Sequence, residues 1–216
     1  MSIYQDFKTN DKKLINKWVH YFPIYEKFLN RFCNTTVTMI EIGVSEGGSL
    51  QMWERYLGPM ATIIGVDIDP NCKKHEEGNI HVRIGDQGNE EFMKDIIDEF
   101  GMPDIVIDDG SHVMKDVLAS FNNLYSELSK NGVYLVEDMH TAYWPEYEGG
   151  ADNDDNNFIQ FSKKLIDSIN AHHSRGAINS DFITNNTFGI YFFDSVVVFE
   201  RGTIPIRIAP KIGQDN

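Results

Sequence analysis

The chain has 216 residues, 41% of them hydrophobic and 24% charged, with a formal net charge of −14. That length suits one α/β domain with a sizeable core, and the acidic balance argues against a nucleic-acid backbone or an anionic membrane as the main partner. Only Cys33 and Cys72 are present and no apolar run approaches 18 residues, so the expectation is a soluble, cytoplasmic protein without a disulfide framework.

In chain order, Leu14, Trp18, Tyr21, Tyr25, Phe28 and Leu29 recur near helical spacing and predict a helical segment over residues 11–32, broken at Pro23. Residues 1–35 are expected to form this N-terminal segment, on the substrate or oligomer side of a domain over 36–216. "TVTMIEIGV" reads as a strand and "SLQMWERYL" as a helix. "TIIGVDID" and "IHVRIGD" are two further strands, and "NEEFMKDIIDEF" is a helix with an acidic first turn. The strand "DIVIDD" precedes the helix "MKDVLASFNNLYSELSK", which should stop at Asn131-Gly132. A fifth strand, "VYLVED", leads into a long polar loop over 139–157, which is expected to act as a lid. After the helix "FIQFSKKLIDSINAHH", the run "GIYFFDSVVVFERG" reads as a hairpin about Asp194-Ser195. The alternation implies an α/β fold, a Rossmann-like seven-stranded mostly parallel sheet with a C-terminal antiparallel hairpin and helices on both faces.

In such a sheet, ligands bind outside the carboxyl ends of the strands. The first strand ends at "EIGVSEGGS", where Glu41, Gly43, Ser45, Gly47 and Ser49 flank a bare turn that lets a ligand approach the backbone. The spacing is G-x-x-x-G-G and lacks the middle glycine of a dinucleotide-binding turn. Asp67 at the second tip sits where an acid can hold a ribose hydroxyl pair. Asp86 and Gln87 at the third can read an adenine edge. Any one of these acids could be a helix cap; three on consecutive tips make a nucleoside pocket.

On "EIGVSEGGS", "GVDIDP" and "GDQGN", residues 36–201 resemble the class I S-adenosylmethionine-dependent methyltransferases. The resemblance implies that Gly43 and Gly47 line the methionine part of the cofactor, Asp67 the ribose, and Asp86 with Gln87 the adenine.

The next two tips, "IDDGSH" and "VEDMH", bring Asp108, Asp109, His112, Glu137, Asp138 and His140 onto adjacent strands. Crowded carboxylates repel unless a cation or protons neutralise them, and a few hard oxygen ligands favour Mg²⁺, with Mn²⁺ an alternative. Strand alternation turns Asp108 away from Asp109. "DDGSH" with "VEDMHTAYW" is similar to the metal-dependent sugar O-methyltransferases of macrolide biosynthesis and the related cephalosporin hydroxylase group. The resemblance implies Mg²⁺ on Asp109, Glu137 and Asp138, with His112 as general base and His140 as its competitor. It also implies a sugar or glycoside acceptor and a homo-oligomer. His140, Tyr143 and Trp144 are candidate acceptor contacts. Two other readings keep the fold: an oxidative tailoring enzyme, and a module that binds the cofactor or a nucleotide without turnover. A pure binder has no need of converging acids.

Overall fold

The computed structural model describes residues 2–150 and 156–214. Seven strands form one sheet: β1 (Val37–Ile42), β2 (Ala61–Asp67), β3 (Ile80–Ile84), β4 (Ile105–Asp108), β5 (Val133–Val136), β6 (Thr187–Phe193) and β7 (Val196–Arg201). Their order is β3-β2-β1-β4-β5-β7-β6. The first five pair in parallel, and β7 inserts antiparallel between β5 and β6. Side chains alternate across each strand, so neighbours supply opposite cores. Met39, Ile63, Ile105 and Val133 belong to one cluster; Ile40, Ile64, Val106 and Tyr134 belong to the other. The first core is closed by the helices α1 (Ile3–Lys8), α2 (Phe22–Leu29) and α3 (Gly48–Leu57), the second by α4 (Glu90–Phe100), α5 (Met114–Leu124), α6 (Phe158–Asn170) and α7 (Phe182–Asn186). Among the described residues no helix is long and apolar enough to cross a membrane.

The N-terminal segment departs from its expected form. Residues 11–18 are not helical, and Leu14 and Trp18 are 70% and 55% exposed, so their spacing does not mark a core face. α2 starts at Phe22 and takes Pro23 into its first turn, where the fixed φ of proline suits a helix start. α5 ends at Leu124, before the expected stop, and passes into a short 3₁₀ turn. The described part of the 139–157 loop holds two 3₁₀ turns, Met139–Tyr143 and Pro145–Tyr147. The acidic tip expected to order as a lid falls largely on residues 151–155, which lie outside the described residues.

Candidate active site

The strand order reverses between β1 and β4, which lie side by side with Ile42 opposite Asp108. A crevice opens at such a switch. Here it is a cavity of about 460 Å³. Gly43 shapes it: at φ +93° its Cα sits against the next strand, and a Cβ would fall 2.0 Å from the Asp109 carbonyl oxygen. Gly47 does something different. It caps α3 at φ +74° and packs on the His75 ring, 2.6 Å from where a Cβ would lie. It is therefore turned away from the cavity, and Gly48 lines it instead.

Gly43, Ser45, Ser49, Asp67, Asp86 and Gln87 line one side. Asp67 accepts from the backbone N–H groups of Val44 (2.9 Å), Ser45 (3.2 Å) and Asp69 (2.9 Å). Burial alone would raise its carboxyl, but these bonds hold it below the usual range. The acid thus braces the turn as well as facing the cavity. Asp86 accepts from Gly88 N–H. Gln87, expected to read a base edge, has its amide engaged: Nε2 donates to Ser120 (2.8 Å) and Asp108 (3.3 Å), and Oε1 accepts from Ser111 N–H (2.9 Å). It ties the third tip to the turn after β4, and its face alone is left for a ligand. Glu41 also departs from expectation. It is fully buried, bonded by Ser49 Oγ (2.7 Å), Trp53 Nε1 (3.0 Å) and the Lys17 ammonium (3.3 Å), and does not line the cavity.

Asp109, His112 and Asp138 line the same cavity. One atom from each lies within 4.8 Å of the others. His112 Nε2 is 3.8 Å from Asp109 Oδ1 and 3.6 Å from Asp138 Oδ2. His112 and Asp138 both hold left-handed backbone, at φ +59° and +53°, a conformation that costs a non-glycine residue about 1–3 kcal/mol and recurs at functional sites. Two carboxylate oxygens converging on a half-buried wall suit a hard divalent cation with open positions, so the residues present fit Mg²⁺. The same hardness leaves imidazole a poor ligand for it and His112 free to handle a proton. Asp108, as alternation requires, points inward; burial pushes its carboxyl up to about 7.

Glu137, expected as the third ligand, stands outside this group. It is 1% exposed, with Oε2 accepting from Lys17 (3.0 Å) and Oε1 from the Tyr25 hydroxyl (2.7 Å). Lys17 also donates to Asp109 Oδ2 at 2.7 Å. Burial alone would lower Lys17, but the Asp109 and Glu137 carboxylates outweigh it and hold the ammonium pKa well above its ordinary value. One cation cannot neutralise three acids. Burial pushes the Glu137 carboxyl up, against the pull of Lys17. The sequence does not single out Lys17, and it offers Tyr21 and Tyr25 as closing the site's other side but favours core packing for them, because their spacing reads as a helix face. The one available signal was a lysine followed by two tyrosines at four-residue steps.

His140, Tyr143 and Trp144 stand beside the cavity without lining it. The His140 ring is hydrogen-bonded through Nδ1 to Ser195 Oγ, which removes that nitrogen from competition with His112. Aromatic rings run in an arc from the N-terminal segment to the acids: Trp18 to His140 (6.1 Å), His140 to Trp144 (4.8 Å), Trp144 to Tyr147 (6.0 Å) and Tyr147 to His112 (6.3 Å). Tyr143 is 53% exposed.

A switch-point cavity with a glycine turn and acids on successive tips, under a sheet ending in an antiparallel hairpin, defines a class I S-adenosylmethionine-dependent methyltransferase fold. Within that class the chain is similar to sugar O-methyltransferases. It is 38% identical over 168 residues to the 8-demethyl-8-alpha-L-rhamnosyl tetracenomycin-C 2'-O-methyltransferase of Streptomyces olivaceus, covering 74% of this chain and 43% of that protein. It is 35% identical over 198 residues to the mycinamicin VI 2''-O-methyltransferase of Micromonospora griseorubida, covering 86% and 49%. The structure of the MycE methyltransferase of the mycinamycin biosynthetic pathway, in complex with Mg, SAH and mycinamycin VI, superposes with a TM-score of 0.81 at 31% identity, covering 97% of this chain and 56% of that one. The chain spans about half the length of the curated relatives it matches. No protein-family model matches it.

Proposed function

We propose that the protein transfers a methyl group from S-adenosylmethionine to a hydroxyl of a sugar carried on a small molecule, assisted by Mg²⁺ or Mn²⁺. The observation that carries this reading is that the glycine turn with Asp67 and the Asp109–His112–Asp138 group line one cavity. A bound cofactor and a chelated acceptor would therefore meet. The relatives whose names specify a rhamnosyl or glycosidic acceptor support the sugar, and the arc from Trp18 to Tyr147 offers apolar faces for its ring.

S-adenosylmethionine would lie against Gly43, Ser45, Asp67 and the face of Gln87, and the metal on Asp109 and Asp138. Bound there, the cofactor supplies an activated methyl, and the cation supplies the charge that makes a chelated hydroxyl more acidic. The chain's residues do the rest. Asp109 and Asp138 would hold the cation, whose charge could orient an acceptor hydroxyl beside the cofactor. His112, within reach of both acids, takes the hydroxyl proton at Nε2.

The test is methyl transfer to a rhamnosyl glycoside, with and without chelator. Asp109→Asn should abolish turnover and leave cofactor affinity nearly unchanged, whereas Asp67→Ala should weaken cofactor binding first. Equal loss of cofactor binding in both variants would contradict this division of the cavity.

A further inference from the structure

The two acids of the cation group share a pattern. Asp109 uses Oδ2 for the Lys17 ammonium at 2.7 Å and turns Oδ1 toward His112. Asp138 uses Oδ1 for the Tyr21 hydroxyl at 2.6 Å and turns Oδ2 toward His112. Each carboxylate is pinned through one oxygen and presents the other to the same point. Both pins come from the N-terminal segment, four residues apart.

The Tyr21 contact is more than packing. Its ring is fully buried beside Tyr25, while its hydroxyl reaches the Asp138 carboxylate and also accepts from Asp138 N–H at 3.3 Å. One phenol oxygen thus fixes both the side chain and the left-handed backbone of that residue. Without it, the Asp138 carboxyl can rotate, and the convergence of the two free oxygens depends on Asp109 alone.

We infer that Tyr21, with Lys17 as its counterpart on Asp109, is a positioning residue that makes the acid pair a one-oxygen-each clamp for a divalent cation. The inference rests on the metal-assisted reading above and assigns a cation-affinity role to the N-terminal segment. Partners that orient metal ligands typically contribute 10–100-fold in metal affinity.

The experiment uses the full chain and the metal alone. Mn²⁺ is titrated and the free ion counted by its electron paramagnetic resonance signal, with Mg²⁺ read by competition. Tyr21→Phe keeps the buried ring and should weaken Mn²⁺ binding by at least about tenfold, with S-adenosylhomocysteine affinity unchanged. Tyr125→Phe, which removes another buried phenol hydroxyl bonded to Thr187, should bind Mn²⁺ as wild type does. A Tyr21→Phe protein with wild-type Mn²⁺ affinity would overturn the inference. Equal weakening in both variants would also overturn it, because general loosening would then explain the loss. Failure of the wild-type protein itself to bind Mn²⁺ would instead strike the metal-assisted reading on which the inference stands.

Discussion

Replacing Lys17 with methionine removes the cation shared by Asp109, Glu137 and Glu41 while nearly preserving its volume. The Lys17–Asp109 pair, at 2.7 Å, has a gross attraction of about 6 kcal/mol at an effective dielectric of about 20. Desolvation of a side chain only 2% exposed offsets much of it in the intact protein. Removing one partner leaves the offset and deletes the attraction, so Lys17→Met should lose roughly 3–5 kcal/mol. Urea unfolding at pH 7 followed by circular dichroism measures the loss. Mg²⁺ should restore part of it by supplying a replacement charge at Asp109, so the midpoint should respond to Mg²⁺ more in the variant than in wild type. A loss below about 1 kcal/mol, the level of an exposed ion pair, would refute the reasoning.

Three further outcomes follow from the same geometry. Asp108 holds a proton in the folded chain up to about pH 7, against an ordinary 3.8. Its stabilising contribution is therefore complete below about 3.8 and lost as pH rises through 7. At 1.36 kcal/mol per pH unit, that loss is on the order of 4 kcal/mol. Asp108→Asn should flatten this dependence and leave the variant more stable than wild type at pH 8, as thermal unfolding across pH would reveal; an unchanged profile contradicts the assignment. Gly43→Ala would place a Cβ 2.0 Å from the Asp109 carbonyl oxygen and should weaken both S-adenosylhomocysteine and Mn²⁺ binding, since it forces the two tips apart. Loss of only one would show the tips to be independent. Trp144→Ala should raise the acceptor KM about fivefold, the effect of about 1 kcal/mol of ring contact, with kcat and cofactor affinity unmoved; a kcat effect alone would place Trp144 elsewhere in the reaction.

Much of the fold was legible because the physics is local. The alternation in "TVTMIEIGV" and "DIVIDD" serves two cores at once, and the hairpin follows from its turn. Acids at strand tips were legible as a set, since parallel strands must end together. What single-chain patterning could not convey was which oxygen of each acid is free. Glu41 and Glu137 stand at the right tips, yet Ser49 and Trp53 of the following helix occupy the first, and Lys17 and Tyr25 of the distant N-terminal segment the second. The N-terminal segment misled for a related reason. The spacing of Trp18, Tyr21 and Tyr25 is helical, but one ring is exposed beside the acceptor side and two hydroxyls serve carboxylates. Gly47 and Gly48 are adjacent and identical in type; the His75 ring against one and the Lys13–Leu14 backbone against the other separate their roles.

The central claim is that one cavity holds both the cofactor and the cation. Isothermal titration of S-adenosylhomocysteine, with and without Mg²⁺ and with NAD as control, tests it most directly. The account requires micromolar binding of S-adenosylhomocysteine, a separate Mg²⁺ event lost in Asp109→Asn, and no binding of NAD. Absence of S-adenosylhomocysteine binding, or Mg²⁺ binding that survives Asp109→Asn unchanged, would contradict it.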